Sequence, residues 1–274
     1  MVITCALTLA LAGCGGGAGS TPQVTAAFYP LAFAAERVGD APVRNLTPPG
    51  VEPHDVELSG RDVQAVGDAE LVLYLGGGFQ PALEAAVEST GANAVDLLDG
   101  LELRAAGDER DPHVWLDPLL YAELVERIGA ELGQEERARE LTAELEGLHE
   151  EVAAGLADCE RREVVTSHAA FGYLTARYGL EQVAITGLSP EAEPTPGELR
   201  DIVAEVREHA ATTIFFETLV SPRLAQTVAR EVGASTAVLN PLEGLTDEQA
   251  AADEDYFTIM RANLAALREG LGCR

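Results

Sequence analysis

From Val24 onward the chain alternates short apolar runs with amphipathic stretches, in two blocks separated by a long segment with no strand signal. In the first block Val24–Tyr29, Pro42–Leu46, Leu71–Leu75 and Asn93–Leu98 read as strands, and Leu31–Val38, Gly60–Gly67 and Pro81–Ser89 as helices. In the second, strands are expected at Glu163–Ser167, Val183–Thr186, Thr212–Phe216 and Ser235–Leu239. Helices are expected there at Ala169–Tyr178, Pro196–His209, Pro222–Val232 and Tyr256–Glu269. Such alternation favours an α/β fold with a parallel sheet covered on both faces, built twice. The blocks share a plan and no close sequence repeat.

The segment between them, Pro118 to Asp158, is dense in Glu, Ala, Leu and Arg. Leu141, Leu145, Leu148, Val152 and Leu156 fall on one face of a helix. A break near Gly133 divides the segment, and the second helix, Gln134 to Ala157, would be roughly 35 Å long at ~1.5 Å per residue. That length suits a spine. The expected organisation is a leader and tether over 1–23, a βα lobe over 24–117, helices over 118–158 and a second βα lobe over 159–274.

Composition removes several functions. With 274 residues and 47% hydrophobic content the chain can bury a substantial core. Its net charge of -28 disfavours nucleic acid and anionic membrane surfaces, and would concentrate small cations. Every basic residue is arginine. Pyridoxal Schiff bases, Walker-type phosphate loops and Ser-Lys dyads all need a lysine amine, so none is available. Gly76-Gly77-Gly78 after a strand is therefore read as a βα turn rather than a phosphate cradle.

Met1 to Cys14 is a short apolar run ending Leu11-Ala12-Gly13-Cys14, followed by a Gly-rich stretch. It is too short to span a bilayer and reads as a signal-peptide core with a lipobox, in which Cys14 is lipidated. The expected location is extracytoplasmic, with a lipid anchor as the only membrane contact. Cys159 and Cys273 remain. In an exported chain such a pair most simply forms a disulfide, which for so long a loop contributes on the order of 4 kcal/mol.

Three histidines sit in rigid settings: Glu-Pro-His54-Asp, Asp-Pro-His113-Val-Trp-Leu-Asp-Pro and Thr-Ser-His168-Ala-Ala-Phe. Glu243 lies in a similar turn, Leu-Asn-Pro-Leu-Glu243-Gly. His168 directly follows a strand and Glu243 lies just past one, while His54 lies in the loop after the second strand and His113 in the loop that leads to the spine. Open α/β sheets bind ligands beyond such strand ends, and two of the four come from each block. A metal site closed by two lobes would look like this. His149 and His209 lie within charged helices and are left out. Glu217 reads as a hydrogen-bond acceptor near the site, and Ser167 with His168 points the wrong way for a nucleophile pair.

At these residues the chain resembles the ZnuA-like substrate-binding lipoproteins of bacterial zinc and manganese ABC importers. The resemblance runs from about Val24 to the C-terminus. It is carried by Pro-His54, Asp-Pro-His113-Val-Trp115-Leu-Asp117-Pro, Ser-His168-Ala-Ala-Phe171-Gly-Tyr173, Glu193-Pro194, Phe216-Glu217 and Tyr256-Phe-Thr-Ile-Met-Arg-Ala-Asn263. It implies two βα lobes joined by a long rigid helix, a cleft metal held by His54, His113, His168 and Glu243, and delivery to a permease with its ATPase. It also implies a monomer that catalyses nothing. Many such proteins carry an Asp just after the last strand; Asn240 stands here, and Glu243 is the better fourth ligand. The His-rich loop of many zinc importers is replaced by the short acidic stretch Glu102 to Asp111.

Three imidazoles and one carboxylate suit near-tetrahedral Zn2+ better than Mn2+, which takes more oxygen ligands. Affinity is expected to fall as the histidines protonate below about pH 6.5. A manganese receptor, a zinc hydrolase with Glu243 as base, and a surface adhesin are the alternatives. The hydrolase lacks a His-Glu-x-x-His helix.

Overall fold

The computed structural model describes residues 24–107, 109–191 and 194–274. Cys14, the leader and Glu193 lie outside the described residues.

The first block folds as β1 (Val24–Ala26), α1 (Tyr29–Val38), β2 (Val43–Asn45), α2 (Gly60–Asp68), β3 (Leu71–Tyr74), α3 (Pro81–Thr90) and β4 (Ala94–Asp96). Its four strands are parallel in the order β2-β1-β3-β4. A short antiparallel hairpin follows, β5 (Ala105–Ala106) with β6 (Glu109–Arg110), then a single 3-10 turn over Val114–Leu116. Neither hairpin nor 3-10 turn was expected, because the stretch holds no β-branched run and only a few residues pair.

Next come α4 (Pro118–Leu132) and α5 (Glu135–Leu156). Gly133, at φ +65°, caps α4 and reverses the chain, so that α5 packs back along α4. Leu141, Leu145, Leu148, Val152 and Leu156 are all buried, and α5 touches α1 on one side and α10 on the other. At 22 residues it is about 33 Å long. It is the spine that joins the lobes.

The second lobe comprises β7 (Glu163–Thr166), α6 (Gly172–Arg177), β8 (Glu181–Ala184), α7 (Pro196–Glu208), β9 (Thr213–Phe216), α8 (Arg223–Val232), β10 (Ser235–Val238), α9 (Asp247–Ala251) and α10 (Tyr256–Leu271). Its parallel sheet runs β10-β9-β7-β8. Counted from each lobe's own first strand, both sheets have the order second, first, third, fourth. The repetition of architecture thus extends to topology.

One continuous core runs from the first lobe through α4 and α5 into α10 and the inner face of the second sheet. A separate, smaller core of Val165, Val183, Ile185, Val203, Val206, Ile214 and neighbours seats α7 and α8 on the other face. A disulfide joins Cys159 to Cys273, 114 residues apart, tying the end of the spine to the C-terminus. Among the described residues no helix is long and apolar enough to cross a membrane.

Candidate metal centre

His54, His113, His168 and Glu243 converge between the lobes, with one potential ligand atom from each lying within 4.8 Å of the others. His113 and His168 are 0% exposed and Glu243 1%. His149 and His209 stay outside: the first stacks on Tyr178 and the second lies 3.9 Å from Glu163.

His54 sits in the coil between β2 and α2. The Glu52 carboxylate accepts the Asp55 N–H at 3.2 Å and so turns the chain around Pro53 and His54. The His54 ring packs edge-on against Phe79, with centroids 4.6 Å apart.

His113 follows Pro112, which cannot donate a hydrogen bond and disfavours helix at Asp111. Asp111 Oδ1 instead accepts the His113 backbone N–H at 3.0 Å and lies 2.7 Å from its Nδ1. In the 3-10 turn behind it, Trp115 Nε1 donates to the Pro241 carbonyl at 2.8 Å, and Tyr256 Oη donates to the Trp115 carbonyl at 2.7 Å.

His168 lies on a turn between β7 and α6, although the sequence suggested helix from Ala169. The His168 carbonyl accepts from Thr166 Oγ1 at 2.7 Å and Gln182 Nε2 at 3.0 Å, and the Ala169 N–H donates to Gly187. These bonds hold Ser167 to Phe171 out of the helix. Glu217 Oε1 lies 2.8 Å from His168 Nδ1 and accepts the Ser167 hydroxyl at 2.6 Å, so that hydroxyl is directed to Glu217 and not to the imidazole.

Glu243 is aimed by the loop after β10. Leu242 has φ +58°, a left-handed conformation that a bulky residue rarely adopts. It is held there by full burial and by its N–H donating to Asn240 Oδ1 at 2.7 Å. Asn240 is itself locked to Asn263, its N–H donating to Asn263 Oδ1 at 2.8 Å and its carbonyl accepting Asn263 Nδ2 at 2.7 Å. Asn240 therefore shapes the loop that presents Glu243, and does not join the cluster.

Glu243 Oε1 lies 3.1 Å from His113 Nε2, 3.2 Å from His168 Nε2 and 3.4 Å from His54 Nε2. Ligand atoms arranged tetrahedrally about a cation at about 2.0–2.1 Å stand roughly 3.3–3.4 Å apart. The Glu243 edges match that spacing. Glu243 Oε2 and His54 Nε2 are buried without a hydrogen-bond partner, which is costly unless something charged is to be held. With carboxylates on their Nδ1 atoms, His113 and His168 keep a proton there, so the inward Nε2 is the atom that can serve a metal once it gives up its own proton.

The electrostatics follow. Burial alone would lower the His168 pKa, yet Glu243 and Glu217 outweigh it and push it up to about 10. His113 moves upward likewise: burial opposes, and Asp111 and Glu243 prevail. Burial would raise Glu243, but His168, His113 and His54 hold it well below the usual carboxylate range. Glu52 is pushed up to about 8 by burial and by the negative charge of Glu243.

Sequence reasoning left Asp111 without a role and missed Glu52. The Asp-x-His spacing was the available signal for Asp111, since a side chain two residues back readily bonds the backbone N–H. The Gly76–Gly78 turn is occupied by the chain's own carboxylates, Gly76 N–H donating to Asp96 at 2.9 Å and Gly78 N–H to Glu84 at 2.8 Å.

Comparison with known proteins places this arrangement. The high-affinity zinc uptake system protein ZnuA of Bacillus subtilis is 33% identical over 99% of this chain and 97% of its own length. The zinc-binding lipoprotein AdcA of Streptococcus pneumoniae is 34% identical over 90% of this chain, which spans only 55% of that longer protein. The crystal structure of the Zn(II)-bound ZnuA-like domain of the same AdcA superposes with a TM-score of 0.78 at 34% identity, covering 92% of this chain and 99% of the domain. The family model described as zinc-uptake complex component A, periplasmic, matches residues 24–270, and the chain accordingly belongs to the ZnuA family.

Proposed function

We propose that this chain is an extracytoplasmic receptor that captures one Zn2+ with His54, His113, His168 and Glu243 and delivers it to an ABC permease driven by a partner ATPase. The observation that carries the reading is the set of three inward Nε2 atoms at 3.1–3.4 Å from one buried Glu243 oxygen. Imidazole and carboxylate in a ratio of three to one suit zinc, whereas manganese favours more oxygen. Relatives are named for zinc uptake and zinc binding, and one related domain was solved with zinc bound.

The family is one of transport receptors. Four protein ligands leave no open coordination position of the kind a zinc hydrolase needs. Residues 1–23 would supply the export signal and a tether, with lipidated Cys14 anchoring a monomer to the outer face of the membrane. The strong negative charge would raise the local cation concentration at the cleft.

The test is direct. The protein is stripped with chelator and offered Zn2+ and Mn2+ in competition, with metal content read by mass spectrometry. One tightly held zinc that excess manganese does not displace is expected. Preferential manganese, or no tight metal, overturns the assignment.

A further inference from the structure

The His113 segment is gripped at both ends by one helix of the opposite lobe. Tyr173 is 5% exposed. Its Oη donates to the Asp111 carbonyl at 2.9 Å and accepts the Arg104 N–H at 2.9 Å. Residues 104 and 111 are the feet of the β5–β6 hairpin, closed by the Asp111 N–H donating to the Arg104 carbonyl at 2.9 Å. A single phenol oxygen pins both feet.

One helical turn later, on the same face of α6, Arg177 Nε donates to Asp117 Oδ2 at 2.7 Å. The other Asp117 oxygen caps α4 by accepting the Leu119 N–H at 3.0 Å. Gly172 lets the helix start this close: a Cβ there would stand 2.9 Å from Asp111 Oδ2. Since α6 begins four residues after His168, the element launched from one cluster residue holds the segment that carries another.

We propose that Tyr173 and Arg177 are positioning residues, a two-point clamp by which the C-terminal lobe fixes His113 against His168 and sets the residence time of the captured cation. The proposal rests on the receptor reading above. Neither side chain belongs to the cluster. They act through Asp111, which orients the His113 ring, and through Asp117, which ends the segment on α4. Freed of Tyr173, Asp111 no longer has a fixed carbonyl, and the ring it directs loses its reference to the opposite lobe.

The test uses the protein loaded with Co2+ for its visible ligand-field spectrum, and with Zn2+ for dissociation into excess chelator. Tyr173→Phe keeps the ring and removes both hydrogen bonds. It is expected to raise the zinc off-rate about tenfold, in the range found for partners that orient metal ligands, and to shift the Co2+ bands. Arg177→Gln is expected to do the same, and the double variant to fall short of the product of the two, because both act on one segment. Arg261→Gln, which breaks the exposed pair with Glu151 elsewhere, serves as control and should leave both readouts unchanged.

Wild-type off-rates and spectra in Tyr173→Phe and Arg177→Gln, even with a lowered melting temperature, overturn the clamp while the receptor reading stands. Should Tyr173→Phe fail to fold, Arg177→Gln decides alone, since that side chain is 34% exposed and its loss leaves little buried volume empty. A wild-type protein that takes up neither metal overturns the receptor reading and the clamp with it.

Discussion

His54 and His113 come from the same lobe and both follow a proline, yet their surroundings have little in common. Residues 111–118 are buried without a break, and the His113 ring is fixed by Asp111 while its neighbours bond to Pro241, Tyr256, Tyr173 and Arg177. The coil before His54 is exposed from Pro48 to Gly50, and the ring rests on Phe79, its Nε2 3.4 Å from Glu243 Oε1 without a well-formed hydrogen bond. Through its hydrogen bonds the His113 segment belongs to the second lobe as much as to the first. Three of the four cluster residues therefore form one preorganised unit, and His54 approaches it from a looser loop.

The sharpest way to break this comparison is to remove each histidine in turn. His113→Ala should weaken zinc binding by more than the 10–100-fold typical of losing a ligand's orienting partner, with the fold kept. His54→Ala should cost clearly less, because His113, His168 and Glu243 remain braced without it. Isothermal titration of both variants decides; equal losses would mean that the bracing does not rank the ligands.

Next in size is the removal of a brace. Glu217→Gln keeps the shape but takes the charge from His168 Nδ1, and Asp111→Asn does so for His113. Each should cost 10–100-fold in zinc affinity, measured by chelator competition. Among the described residues no carboxylate bonds the His54 Nδ1. Phe79→Leu keeps an apolar side chain beneath His54 while losing the ring that also meets Phe28, Trp115 and His113, and with both carboxylate braces intact it should change affinity least of the three.

Protons sharpen the contrast further. His168 has its folded value raised from 6.5 to about 10, so its contribution to the stability of the metal-free fold is complete below 6.5 and is lost as pH climbs through about 10. Zinc requires the unprotonated Nε2, so affinity should rise across the same window, by about tenfold per pH unit for each proton released. The fall in affinity expected from ordinary histidines below about pH 6.5 thus begins well above neutrality. Titrations at pH 8 in buffers of different ionisation enthalpy should show net proton release on zinc binding. The release should shrink in His168→Ala, with what remains coming from His113, whose pKa is raised likewise.

Much of this was legible in the sequence. Strand and helix periodicity located the eight sheet strands to within a few residues, because buried parallel strands are short continuous apolar runs. The four cluster residues stood out by their rigid turns, His168 and Glu243 close behind strands and His54 and His113 in proline-marked loops. What could not be read was tertiary. The clamp joins Tyr173 to Asp111 across 62 residues, and nothing local marks a tyrosine on an amphipathic helix as reaching another lobe. The delayed start of α6 depends on Gln182 and Gly187 from the next strand and loop, and the two-residue strands β5 and β6 carry no propensity signal.

The smallest expected effect on metal binding comes from the disulfide, and it tests whether the preorganised unit owes its rigidity to covalent or to local contacts. Cys159 precedes β7 and Cys273 follows α10, both at the end of the sheet opposite the one from which His168 and Glu243 project. In the chain-entropy model, closing a loop of this length contributes about 4–5 kcal/mol, almost all of it by constraining the unfolded chain. Cys159→Ala with Cys273→Ala should therefore lower the melting temperature markedly while leaving zinc affinity and the Co2+ spectrum unchanged, since the braces on His113 and His168 lie elsewhere. A large loss of zinc affinity in a variant that is still folded would show that the order of the His113 segment is imposed from the far end of the lobe. The comparison with His54 would then rest on global rigidity and not on Asp111, Glu217, Tyr173 and Arg177.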